Sequence, residues 1–305
     1  MGPPLWAQQL DIFLKTSPTI DLIRPHGGPV GLSVLVTSAA GKPVEDGWAD
    51  IRLDAPKPGG FFSTDFPLIE GTRLTEMRLP LRRGHAEWKY DWPIRGEYRL
   101  AVEATTADGK TASKVFPITI RENSRKWLAL GGFSLGLFLL GFIAGRVFTR
   151  PSNARLSLLL GVLFAAPSLP TAIAQLAQPA SLAIEPATVG KPSRITWRLD
   201  GSPPADGSTL TLAIQQLEEG HTVFALEKLP VAGEFSLSFQ FADGSEHRVT
   251  ATLELPGQAP VRTEQVVSVT TVEPPSTAAL PAIAFFMALI ALGLGAGRWS
   301  KRYLQ

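Results

Sequence analysis

The chain has 305 residues, of which 45% are hydrophobic, a formal net charge of +2 and no cysteine. The lack of cysteine excludes disulfides, thiolate catalysis and cysteine-ligated metal centres within this chain. Lys and Arg are scattered along the sequence and not gathered on one face, which argues against nucleic acid as a partner.

The first residues, Gly2 to Leu14, contain no apolar run long enough to start export. Leu5-Trp6-Ala7 before Gln8 is similar to the tail of a signal sequence, so one interpretation is that a signal peptide precedes Met1. The other is that the first membrane helix carries the preceding residues across the membrane unaided. Both interpretations make residues 1–124 an exported domain.

Within residues 1–124, apolar and polar side chains alternate between turn residues. The alternation is clear around Leu32 to Val36, Trp48 to Leu53 and Tyr98 to Ala104. Short alternating runs separated by Gly, Pro and Asp predict half-buried strands, and several of them in about 100 residues predict an antiparallel β-sandwich.

The densest cluster of aromatic and cationic residues lies between Arg82 and Arg95. Strict alternation there predicts that Trp88, Tyr90 and Trp92 face the core while Glu87, Lys89 and Asp91 face water. Aromatic and arginine residues are also enriched in protein interfaces and can bind glycans, so the cluster supplies candidates for a partner surface. These candidates are Arg82, Arg83, Trp88, Trp92 and Arg95.

No charged residue lies between Trp127 and Gly145, which predicts a first transmembrane helix over residues 125–148. The loop that follows, residues 149–155, and its flanks carry three arginines and no acidic residue. The positive-inside rule therefore places this loop in the cytoplasm.

Residues 156–177 form a second apolar segment, interrupted by Pro167 and Pro170 and ending near Ala172-Ile173-Ala174. The pattern fits either a transmembrane helix or an internal signal sequence, with cleavage near Ala174 left open. A second exported β-sandwich is predicted over residues 178–275, followed by a third transmembrane helix over 276–297 and a basic cytoplasmic tail over 298–305.

Small residues at four-residue spacing lie in the first and third of these helices, where they allow close helix packing. They are Gly132, Gly136, Gly141, Gly145, Gly293 and Gly297. No charged residue lies inside any span, which argues against an ion pathway built from this chain alone.

An internal repeat at about 136 residues relates the two exported segments. Gly84-His85, Gly96-Glu97-Tyr98 and Ala107-Asp108-Gly109 recur as Gly220-His221, Gly233-Glu234-Phe235 and Ala242-Asp243-Gly244. Each set predicts a strand followed by a tight turn into the closing hairpin of a sandwich.

Gly-Glu-aromatic-x-Leu followed by Ala-Asp-Gly resembles the closing hairpin of bacterial immunoglobulin-like and fibronectin-III-like domains. Phe241 to Ala251 is also similar to the C-terminal hairpin of YtkA-like periplasmic domains. The first resemblance implies an immunoglobulin-like fold. The second implies a link to metal handling or to respiratory-oxidase assembly.

The chain has four histidines, and a metal hypothesis pairs His26 with His85 and His221 with His247. With no cysteine, one methionine in the two exported segments apart from Met1, and no close histidine spacing, surface positions are favoured over metal ligation. No catalytic Ser-His-acid set or cofactor motif is present either, so neither an enzyme nor a bound cofactor is predicted.

These observations predict a mainly β protein with transmembrane α-helices, built from two antiparallel immunoglobulin-like β-sandwich domains and three transmembrane helices. We expect a non-enzymatic protein of a bacterial inner membrane, with both sandwiches periplasmic and the C-terminus cytoplasmic. Its expected partners are the lipid bilayer and membrane or periplasmic proteins, for which it would act in binding, scaffolding or assembly. The alternatives are a metal-handling or oxidase-assembly factor and, third, a protein that binds glycan or the cell envelope.

Overall fold

The computed structural model describes residues 10–59, 64, 66–147, 180–200, 207–274 and 276–303. The chain divides into two compact units. One comprises Met1–Asn123 and Pro179–Ala278 and contains the strands, and the other comprises Ser124–Gln178 and Ala279–Gln305 and contains the helices.

The described residues form fourteen strands. The first half of the β unit contains β1 (Asp11–Ser17), β2 (Val30–Thr37), β3 (Gly47–Asp54), β4 (Arg73–Pro80), β5 (His85–Tyr90), β6 (Gly96–Thr106) and β7 (Thr111–Ile120). The second half contains β8 (Ala180–Ile184), β9 (Pro192–Leu199), β10 (Thr209–Gln216), β11 (Thr222–Pro230), β12 (Glu234–Gln240), β13 (Glu246–Glu254) and β14 (Val261–Ser268).

Both sheets contain strands from both halves. Sheet A has the order β1-β2-β5-β11-β10-β13-β14, and sheet B has the order β7-β6-β3-β4-β12-β9-β8. Each half therefore supplies three strands to one sheet and four to the other. The predicted mainly β fold with antiparallel sheets is confirmed. The two seven-stranded halves are not separate, because an edge strand of each half pairs with an edge strand of the other in both sheets.

The halves meet at two equivalent strand pairs. Tyr90 of β5 pairs with Phe224 of β11 in sheet A, and Thr75 of β4 pairs with Phe239 of β12 in sheet B. A shift of about 149 positions takes Thr75 to Phe224 and Tyr90 to Phe239, so the β unit is an internal repeat with approximate two-fold symmetry.

This structural repeat corrects the interval of about 136 residues predicted from sequence. Ala107-Asp108-Gly109 does join the hairpin strands β6 and β7, but Ala242-Asp243-Gly244 joins β12 in sheet B to β13 in sheet A. The closing hairpin of the second half turns instead at Gly257, whose φ of 72° corresponds to the φ of 81° at Gly109. Similar turn residues occur at several strand ends. The sequence motif therefore matched β6 with β12, one strand before its structural equivalent β13.

The core is continuous across the two halves. In β10 the alternating side chains of Leu210, Leu212 and Ile214 are fully buried, as the period of a strand requires. Tyr98, at the start of β6, donates its hydroxyl to the Ile94 carbonyl oxygen at 2.6 Å and accepts from the Ile94 amide at 3.0 Å. This hydrogen-bonded corner is a hallmark of immunoglobulin-like sandwiches.

The helical unit contains α1 (Ser124–Val147) and α2 (Ser276–Tyr303), which are long and apolar enough to cross a membrane. They correspond to the first and third predicted spans. The predicted loop at 149–155 and the predicted span at 156–177 lie outside the described residues.

Helices α1 and α2 pack through glycines. A Cβ atom added to Gly141 would lie 2.5 Å from the Ile290 carbonyl oxygen, and one added to Gly145 or Gly293 would overlap a backbone carbonyl oxygen of the other helix. Gly297 makes the same kind of approach, to Phe142. Among the described residues, nothing beyond the adjacent part of α1 lies within 4 Å of a Cβ atom added to Gly132 or Gly136, so these two glycines take no part in the packing of α1 against α2.

The two helices run in the same direction. Phe133 near the start of α1 contacts Phe286 of α2, with ring centroids 5.3 Å apart. Towards the other end, Lys301 Nζ donates to the Arg146 carbonyl oxygen at 3.3 Å. Because residue numbers rise together along both helices, the pair is parallel.

Candidate metal centre at the junction of the two halves

Two histidines and a carboxylate from three separate segments meet where the halves join. His26 comes from the loop before β2, Asp91 follows the last residue of β5, and His221 precedes β11. One ligand atom from each lies within 4.8 Å of the other two. We call these three residues the junction cluster.

Backbone hydrogen bonds hold the three segments together. The Asp91 amide donates to the Val223 carbonyl oxygen at 2.9 Å, which links the first half to the second. The His26 amide donates to the Trp92 carbonyl oxygen at 3.0 Å. His26 has a positive φ of 52°, a conformation that histidine adopts more readily than most residues. The fold therefore fixes the Cα positions of the junction cluster.

Asp91 is the most buried member of the junction cluster, with a side chain only 3% exposed. Its Oδ1 atom is buried and has no hydrogen-bond partner in the described part of the chain. Burial raises the pKa of Asp91, while the neighbouring His26 and His221 side chains and the backbone amides of Trp92 and Gly28 oppose that rise. A carboxylate in this position needs a positively charged partner, because an unpaired buried charge is costly.

His221 lies between two carboxylates. Its Nε2 atom is 3.3 Å from Asp91 Oδ2, and its Nδ1 atom is 3.3 Å from Glu219 Oε2. A histidine that donates Nδ1–H to a carboxylate has its Nε2 lone pair available, which is the usual arrangement of a metal-bound histidine.

A small cavity of about 30 Å³ beside the cluster is also lined by Gln216, Asp243 and His247. The Nδ1 atom of His247 is 3.1 Å from the Ser245 carbonyl oxygen, and Nε2 is 3.9 Å from Asp243 Oδ1. Burial lowers the pKa of His247, which favours the neutral imidazole at pH 7. His247 therefore lies next to the junction cluster and is held by its own contacts.

The structure groups the histidines differently from the sequence hypothesis. His26 lies with His221 and not with His85, which lies at the other end of β5, near Ser33. His221 and His247 line the same cavity, but His247 is outside the junction cluster.

Sequence reasoning missed one member of the junction cluster, because it predicted that Asp91 faces water. It also gave no role to Glu219, whose side chain is 66% exposed. Alternation does point Asp91 away from the core of the first half, but the second half covers it. No local signal in the sequence reveals this burial, because it depends on the pairing of β5 with β11.

The predicted partner surface needs correction at its two tryptophans. Trp88 is 3% exposed and Trp92 is 0% exposed, so both belong to the core. Arg82 and Arg83 are exposed, and Arg82 donates to the Lys228 carbonyl oxygen at 2.9 Å. Arg95 is half-buried and pairs with Glu122 at 2.8 Å.

An exposed tryptophan that the sequence did not single out lies near these arginines. Trp48 of β3 is 45% exposed, and the Arg78 guanidinium lies 5.3 Å from its ring centroid. Trp48, Arg82 and Arg83 line a surface groove of about 1200 Å³ that also includes Glu227 of β11. We call it the junction groove because both halves line it.

Comparison with known proteins identifies no family for the chain. No protein-family model and no curated protein sequence matches it. Solved structures with partial likeness include a conjugative transposon lipoprotein from Bacteroides eggerthii DSM 20697, with 16% identity over 29% of this chain and 96% of that one, and a TM-score of 0.21.

A bacterial ice-binding adhesin shares 11% identity over 86% of this chain and 65% of that one, with a TM-score of 0.25. The latent dimeric form of PorU from Porphyromonas gingivalis shares 13% identity over 87% of this chain and 24% of that one, with a TM-score of 0.27. These values are too low to assign a function.

Proposed function

We propose that this chain is a non-enzymatic inner-membrane protein that holds a joined pair of immunoglobulin-like sandwiches in the periplasm, as a binding, scaffold or assembly component of a membrane complex. The observation that carries the proposal is the parallel, glycine-packed pair α1 and α2. Each helix follows one half of the β unit within a few residues along the chain.

Chain connectivity supports the orientation. The β unit is one compact body, so both of its halves lie on the same side of a membrane. Helices α1 and α2 then both enter the membrane from that side, in agreement with their parallel packing. Arg146 and Lys301, at their far ends, favour the cytoplasm by the positive-inside rule. A chain with two spans in one direction must cross back between them, and the apolar segment at residues 156–177 is the predicted crossing.

Single cysteines should report this orientation, because the natural chain has none to interfere. We expect Ala39→Cys in the first half and Gln258→Cys in the second to react with a membrane-impermeant maleimide in intact spheroplasts. Lys301→Cys should react only after permeabilisation. Labelling is measured by the mass shift of the purified chain. Protection of either half in intact spheroplasts would contradict a periplasmic sandwich.

The junction groove supports a binding role. Interfaces are enriched in tryptophan and arginine at positions that bury on association, and Trp48 and Arg83 are exposed in this groove. The rest of the aromatic cluster contributes to the core and is not available to a partner. Charged residues of both signs, including Arg82 and Glu227, line the same groove as Trp48, as in the polar rim of a transient interface.

Purification from native membranes after mild cross-linking should recover stoichiometric partner proteins. The double variant Trp48→Ala, Arg83→Ala is expected to reduce their recovery at least about tenfold, since interface hot spots contribute about 2 kcal/mol or more each. Phe13→Ala is the matched control, because Phe13 is exposed on β1 and does not line the groove. Partner recovery is quantified by mass spectrometry, and equal recovery with both variants would exclude the junction groove as the binding surface.

A metal-handling or oxidase-assembly role is the second candidate, and the junction cluster is the observation that favours it. Glycan or cell-envelope binding through the aromatic cluster depended on exposed Trp88 and Trp92, so we do not propose it.

A further inference from the structure

We propose that His26, Asp91 and His221 form a binding site for a divalent transition-metal cation of the zinc class, with the fourth coordination position open to solvent. This site goes beyond the scaffold role and depends only on the geometry of the junction. It uses two ligands from the first half and one from the second.

The ligand set matches the chemistry of zinc. Two imidazoles and one carboxylate suit borderline cations such as Zn²⁺ and Cu²⁺, whereas Ca²⁺ and Mg²⁺ prefer oxygen ligands alone. Three protein ligands with one open position are typical of zinc sites that exchange a water or a substrate. His26 is exposed, which gives the open position access to solvent.

The distances are close to those that the metal requires. Ligands about 2.0–2.1 Å from a tetrahedral zinc lie about 3.4 Å from each other. The separation of 3.3 Å between His221 Nε2 and Asp91 Oδ2 already fits this value. The three ligand atoms all lie within 4.8 Å of one another, so metal binding requires side-chain movements of only about 1 Å, and the exposed His26 is the member with most room to move.

Two further observations favour a cation over a simple ion pair. Asp91 Oδ1 is buried without a hydrogen bond of normal geometry among the described residues, and the neighbouring Gly28 and Trp92 amides only partly offset its burial, so a bound cation would stabilise it. Glu219 lies on the Nδ1 side of His221 and can accept Nδ1–H, which orients Nε2 towards Asp91. An ion pair between His221 and Asp91 alone assigns no role to His26.

Metal binding can be measured on the full-length chain in detergent. The chain is purified through a tag without histidine, stripped with a chelator and titrated with ZnCl₂ by calorimetry. Co²⁺ serves as a second probe, because its visible absorption reports tetrahedral coordination. We expect one saturable zinc site per chain, with visible absorption from Co²⁺ at the same stoichiometry.

Four variants assign the site to its residues. His26→Ala and His221→Ala should abolish saturable binding, and Glu219→Gln should weaken it about 10–100-fold. His85→Ala is the matched control and should bind as the natural chain does, because His85 lies outside the cluster. Circular dichroism checks that each variant is folded, and His26→Ala is the safest in this respect because His26 is exposed. A natural chain without a saturable site, or unchanged binding in both His26→Ala and His221→Ala, would overturn the proposal.

Discussion

Replacing Trp92 by alanine should lower the free energy of unfolding of the β unit by about 3–5 kcal/mol. Trp92 is fully buried, and its ring centroid lies 4.7 Å from that of Tyr98 and 5.4 Å from that of Tyr90. Both contacts are edge-on, which is the favoured arrangement of aromatic pairs. Removal of the indole leaves a cavity that these rings cannot fill without moving the Tyr98 corner.

The measurement is urea unfolding of the full-length chain in detergent, followed by the loss of β-sheet circular dichroism. Trp48→Ala is the control, since Trp48 is half-exposed and its interaction with Arg78 contributes only about 0.5–1 kcal/mol. Trp92→Phe should recover part of the lost stability. If Trp92→Ala and Trp48→Ala were equally stable, Trp92 would not be a core residue.

Replacing Phe239 by alanine should have a similar effect, about 3–5 kcal/mol, on the stability of both halves at once. Phe239 is 3% exposed and lies in β12, the strand that pairs with β4 of the first half. Its ring contacts Phe224 at 5.6 Å and Phe241 at 5.1 Å in the second half, and Tyr90 at 6.5 Å in the first. The substitution therefore removes packing on both sides of the junction.

Hydrogen exchange with mass spectrometry can follow the two halves separately. In the natural chain, peptides covering β2 and β13 should lose protection at the same urea concentration. In Phe239→Ala they should again lose protection together, but at a lower urea concentration. Phe13→Ala, which removes an exposed ring, should leave both transitions in place. Loss of protection in β13 without loss in β2 would mean that the halves unfold independently.

Local patterns in the sequence were sufficient to predict the strands and the helices. Alternation identified strands such as those containing Val34 and Val102, and uncharged runs identified α1 and α2. These features depend on residues close together in the chain, and their period is fixed by backbone geometry.

The junction could not be predicted in the same way. It depends on pairing between strands far apart in sequence, such as Tyr90 with Phe224, and no local pattern records which edge strand meets which. The candidate site was the hardest feature to predict, because His26, Asp91 and His221 lie in separate loops that come together only when the two halves join. Turn residues also recur at most strand ends, which is why the motif around Asp243 suggested a false repeat interval.

The crosswise pairing of the two halves has a consequence for biogenesis. Strands β4 and β5 emerge early from the ribosome, but their partners β12 and β11 follow well over one hundred residues later. At a synthesis rate of about 5–20 residues per second, the first half waits on the order of ten seconds with two unpaired strand edges. Such edges are prone to pair with other chains. A chaperone that covers β4 and β5 during this interval would raise the yield of folded protein without binding the finished molecule.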